Sequence, residues 1–96
     1  MGRTLIERRL RDVSDRLKVV SRDVAVAEEQ LAHLADEADE ARLRALVSET
    51  PLAEQEHSEA ARHAEAMRRH HEDLLAEQRR LEIAQDELLD RLVAAT

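Results

Sequence analysis

The chain has no tryptophan, tyrosine, phenylalanine or cysteine, and its 96 residues include one glycine and one proline. Each scarcity excludes something. Without cysteine there is neither a disulfide nor thiol chemistry. Without aromatic rings there is no stacking platform of the kind that single-stranded nucleic acid uses. An aliphatic set of this sort suits thin helix–helix seams, not a thick globular core. No apolar run is long enough to span a bilayer. The first residues, Met1-Gly2-Arg3-Thr4-Leu5-Ile6-Glu7-Arg8, lack the apolar stretch of a secretory signal. Ile6 stands where a myristoylation motif has Ser or Thr. The expectation is a cytoplasmic protein with no membrane association.

What is present is mainly Ala, Arg, Glu and Leu, the composition of long helices and coiled coils. The single proline organises the reading. Within Val47-Ser48-Glu49-Thr50-Pro51-Leu52, Thr50 can cap a helix, because its side-chain oxygen can accept an unpaired N–H of the next turn. Pro51 then falls at the first helical position, where its missing N–H costs nothing. The residue before a proline avoids the α region, so an earlier helix must stop just before it. The spacing predicts helix 1 over about 4–47, a turn at 48–50 and helix 2 over about 51–93. A link this short makes consecutive helices antiparallel neighbours.

Both segments carry an apolar stripe whose spacing alternates between three and four. In helix 1 it is Ile6, Leu10, Val13, Leu17, Val20, Val24, Ala27, Leu31, Leu34, Ala38, Ala41 and Ala45. In helix 2 it is Ala53, His57, Ala60, Ala64, Met67, His71, Leu74, Gln78, Leu81, Gln85, Leu88 and Leu92. Members of the two stripes lie equidistant from Glu49, Ile6 with Leu92 and Ala45 with Ala53. The stripes and the proline thus place the turn independently at one point. One uninterrupted helix in a parallel dimer would hold Pro51 in its interior at a cost of about 3 kcal/mol. The expected fold is all-α: one antiparallel two-helix coiled-coil hairpin over 1–96.

The same geometry predicts charge pairs Glu28–Arg68, Arg42–Glu54 and Arg44–Glu56 near the turn. At the open end it sets Arg9 near Arg91 and Asp23 near Glu77. Leu5, Val19 and Val26, with Leu75 and Leu89, form partial apolar stripes beside the seam. Ordering each residue costs on the order of 1–2 kcal/mol, and small chains with thin cores usually need a further surface. These five positions therefore predict self-association, most simply a homodimer forming a four-helix bundle.

Several side chains are candidates for chemistry. Gln78 and Gln85 occupy seam positions, where a polar residue can fix register or simply reach solvent. His63 and His70 share a helix face, and Glu54-Gln55-Glu56-His57 has the Glu-x-x-His spacing of di-iron bundles. A metal-binding bundle needs a second such motif and inward carboxylates, and the Ala and Leu seam supplies none. No metal ligand or cofactor is assigned. Arg8, Arg9, Arg11, Arg16, Lys18 and Arg22 interleave with seam residues, so they read as a cationic outer face and not as a DNA-binding arm. No phosphate loop, nucleophile elbow or His-Glu-x-x-His motif occurs, and no enzyme activity is expected.

Net charge is −7, unevenly spread. Residues 1–22 hold seven basic and three acidic groups, whereas 23–60 hold two basic and eleven acidic. The middle of the chain becomes the turn end, so that end is acidic and unsuited to nucleic acid. Asp36, Glu37, Asp39, Glu40, Glu49 and Glu54 are its candidate partner-binding residues. The stretch Asp36-Glu37-Ala38-Asp39-Glu40-Ala41 resembles Gre-type transcript-cleavage factors and related regulators that enter the RNA polymerase secondary channel through a coiled-coil tip. That resemblance implies a transcription regulator with an acidic tip. The chain departs from it in placing Asp36 and Asp39 about two to three turns below the tip.

A wider resemblance rests on Arg42-Leu43-Arg44-Ala45-Leu46-Val47-Ser48-Glu49-Thr50-Pro51-Leu52-Ala53-Glu54 and Gln85-Asp86-Glu87-Leu88-Leu89-Asp90-Arg91-Leu92. These look like short coiled-coil proteins of high-GC actinobacteria. Fourteen Arg against one Lys suits that origin. The resemblance implies a coiled coil and carries no activity over. The sequence as a whole points to a non-enzymatic, homo-oligomeric interaction or scaffold module with a protein partner.

Overall fold

The computed structural model describes residues 2–96. It contains two α-helices, α1 at Arg3–Ser48 and α2 at Pro51–Ala94, and among the described residues no strand. The fold is the antiparallel two-helix coiled-coil hairpin that the stripes predict. Ser48 belongs to α1 and not to the turn, so Glu49 and Thr50 alone connect the helices.

The turn is built by capping. Glu49 adopts φ 51°, the left-handed conformation that usually ends a helix at a glycine. Its N–H still reaches the Ala45 carbonyl at 3.0 Å, closing the last turn of α1. Ser48 adds a second closure, its hydroxyl donating to the Arg44 carbonyl. On the other side, Thr50 Oγ1 accepts from the Ala53 N–H at 3.2 Å. The Thr50 carbonyl accepts from the Glu54 N–H at 3.1 Å. Pro51 is the first helical residue, as its fixed φ favours. Glu54 sits in the first turn of α2 and Arg91 in its last, each opposing the helix dipole in the favourable sense.

The chain forms two compact units. One joins Met1–Val24 to Leu74–Thr96, and the other is Ala25–Asp73, which contains the turn. We call them the terminal unit and the turn unit. In the terminal unit the buried residues are Ile6, Val20, Val24 and Leu88. Leu10, Val13, Leu17, Leu74, Leu81 and Leu92 are half-buried around them. Burying such a side chain contributes about 1.5–3 kcal/mol, so large aliphatics hold this unit. The turn unit buries Ala27, Ala41, Ala45 and Ala53, with Leu31, Leu34 and Met67 half-buried. Alanine has little area to bury, so close helix approach and the capped turn carry more of the load there. Every residue of the two expected stripes is buried or half-buried.

The caps make a direct test. Thr50→Ala should lower stability by about 1 kcal/mol, because the Ala53 N–H loses its acceptor. Glu49→Gly should raise it by less than about 1 kcal/mol. The left-handed conformation costs an L-residue about 1–2 kcal/mol, and the freer unfolded glycine returns roughly half of that. Urea unfolding followed by circular dichroism measures both. A loss of stability in Glu49→Gly would show that the Glu49 side chain makes a compensating contact.

Candidate functional site

The terminal unit contains a repeated polar pair inside its seam. Gln78 Nε2 donates to Ser21 Oγ at 3.1 Å, and Gln85 Nε2 donates to Ser14 Oγ at 3.0 Å. All four residues are half-buried. No buried side-chain nitrogen or oxygen among the described residues lacks a partner. The two serines are seven residues apart, as are the two glutamines, so each pair sits on the same face one heptad on. Slipping the helices by one heptad keeps at most one pair, because Glu7 or Glu28 then stands where the second serine stood. A side-chain hydrogen bond contributes about 0.5–1.5 kcal/mol, so the two pairs together favour the register that the turn sets. Ser14 and Ser21 are absent from the stripe pattern because they lie beside it. Their shared heptad spacing with Gln78 and Gln85 is the signal that finds them.

Beside the pairs, Arg16 brackets Glu77 Oε1 with Nη2 at 2.6 Å and Nε at 3.0 Å. Glu77, expected beside Asp23, is thus taken by a cation instead. The Arg16 side chain is 59% exposed, which keeps the pair's contribution small.

In the turn unit the expected cross-helix charge pairs are not the ones that form. Arg68 does not reach across to Glu28. It binds Glu65 at 2.6 Å through Nη2 and also holds Glu72, both on its own helix. Neighbours three and four residues away on one helix are closer than a side chain across the seam. Glu28 faces the half-buried His71 instead, with His71 Nε2 3.4 Å from Glu28 Oε1. Among the described residues no ion pair joins Arg42 to Glu54 or Arg44 to Glu56. The Arg68 guanidinium, hydrogen-bonded to Glu65, lowers the Glu65 carboxyl from its ordinary 4.5 to about 2, with Arg69 adding to the effect.

The turn unit is strongly acidic, with five basic and thirteen acidic residues, a net −8. The terminal unit has ten basic and nine acidic, a net +1. Asp36, Glu37, Asp39 and Glu40 are exposed on α1, and Glu37 takes His33 Nε2 at 3.0 Å. Glu49 is exposed in the turn and Glu54 in the first turn of α2.

Outside the seam, Leu5, Val19, Leu75 and Leu89 of the terminal unit and Val26 of the turn unit are 38–53% exposed. A second group was not singled out by the sequence pattern. Leu43, Leu46, Val47 and Leu52 of the turn unit are 56–85% exposed. The first three fall at i, i+3 and i+4, one row of a helix facing away from the seam. That spacing, in a stretch already dense in leucine, is the sequence signal for them.

Among the described residues, no three His, Asp or Glu side chains are grouped to hold a metal ion. No described helix is long and apolar enough to cross a membrane. No protein family, curated protein or solved structure matches the chain.

Two outcomes follow from this geometry. Arg68→Met should return the Glu65 titration toward the ordinary carboxylate range, read by NMR of the side-chain carboxyl. Because the folded value is depressed, the contribution of Glu65 is full above about pH 4.5 and is lost as the pH falls through about 2. An unchanged Glu65 midpoint in Arg68→Met would remove Arg68 as the cause. Replacing Gln78 and Gln85 together by Leu should raise the melting temperature while splitting NMR resonances between registers. A single sharp set of resonances would mean that the glutamines do not choose the register.

Proposed function

We propose that the chain is a non-enzymatic coiled-coil interaction module that works as a homo-oligomer. The observation that carries this reading is the row of half-exposed aliphatics left over once the seam is complete. Leu5, Val19, Leu75 and Leu89 contribute nothing to the seam pattern, yet each keeps a third or more of its surface in water. Among the described residues eight hydrophobic side chains are buried, a small core for the entropy it must offset. Association of two hairpins into a four-helix bundle covers such rows and enlarges the core at once.

Sedimentation equilibrium at micromolar concentration should give a dimer or a larger species. Leu75→Glu or Val19→Glu should shift it toward monomer, because each forces an unpaired charge into the new interface. Helicity should remain high in both variants where the protein is concentrated. A strict monomer for the unaltered chain overturns the reading.

A further inference from the structure

We propose that the turn unit docks a cationic amphipathic helix of another protein on the patch formed by Leu43, Leu46, Val47 and Leu52. This rests on the reading of the chain as an interaction module, but not on its self-association. The four side chains are the most exposed run of large aliphatics in the turn unit, at 56–85%. They stand outside a seam that is complete without them. A shallow hollow lined by Leu43, Arg44, Val47 and Ser48 opens on the α1 side of the patch. Leaving such area in water forgoes the stabilisation that a partner covering it would bring.

Charge decides what covers it. Five exposed acids surround the patch in sequence, Asp39 and Glu40 one turn before Leu43, Glu49 in the connection, and Glu54 and Glu56 just after Leu52, against two exposed bases, Arg42 and Arg44, beside Leu43. The unit as a whole is net −8. A second copy of the same unit would bring like charge against like charge. An anionic bilayer or a nucleic acid meets the same field. The terminal unit of another copy offers little attraction, since its ten basic groups are nearly balanced by nine acidic ones. The remaining complement has an apolar face for the leucines and Lys or Arg along its flanks. A helix presents both at once, with anchors at i, i+3, i+4 and i+7.

The test uses the intact protein and a fluorescein-labelled synthetic helix of about five turns, leucine on one face and lysine on the other. Controls are an isomer of the same composition with no apolar face and an analogue with glutamate for lysine. Anisotropy titrations should show binding of the first peptide alone. Leu46→Gln with Val47→Gln should weaken it about tenfold, with helicity and oligomeric state unchanged. Asp39→Asn, Glu40→Gln, Glu49→Gln and Glu54→Gln together should weaken it and flatten its salt dependence. Equal binding by the Leu46 and Val47 variant, or by the scrambled isomer, overturns the proposal. So does loss of the homo-oligomer in that variant, which would show a second copy on the patch, or flotation of the protein with anionic vesicles. Leu75→Glu, which acts on self-association alone, should leave peptide binding intact, so the two readings fail separately.

Discussion

The seam between the helices is one residue deep on each side, and every other feature follows from that thinness. A layer consists of one side chain facing one side chain. Among the described residues there is no third element to fill a gap or to rescue a polar group. Each position must therefore be small, aliphatic or already satisfied. Where the residues are Ile, Val and Leu, burial itself holds the layer. Where they are Ala41, Ala45 and Ala53, the layer depends on how close two backbones come, and a larger side chain there would push them apart at a cost of about 1–3 kcal/mol.

Thinness also gives polar residues unusual authority. In a thick core Gln78 and Gln85 would be diluted among apolar neighbours. Here each is the whole of its layer on one side. Their bonds to Ser21 and Ser14 reinforce the alignment that the two-residue connection sets. The acidic turn unit behaves differently. Its charges lie mostly outside the seam, where ion pairs contribute little to stability.

The two stripes of the seam were legible in the sequence, because helical spacing fixes which Cβ atoms face inward and the proline fixes where the chain reverses. The long charged side chains were not legible. Arg68 shows why: equidistance from Glu49 places its Cα opposite that of Gln30 and near Glu28, but says nothing about where the guanidinium turns. Glu65 and Glu72 lie nearer and claim it. Ser14 and Ser21 escaped for a related reason, since the choice between facing Val13 or bonding Ser14 is made by a glutamine rotamer. Leu43, Leu46 and Val47 escaped because an aliphatic residue reads as core until the core is known to be complete without it.

The two-residue connection has a consequence for how copies of the chain can exchange parts. A hairpin with so short a link can open, straighten into one helix, and re-form the same seam with a second molecule. Glu49 favours that opening, for its left-handed backbone is released when the turn straightens. Pro51 opposes it, because a continuous helix would drive its ring against the Val47 carbonyl and cost about 3 kcal/mol. The strain released at Glu49 is about 1–2 kcal/mol. The proline therefore outweighs the glutamate, and the connection resists an exchange of the second helix between copies.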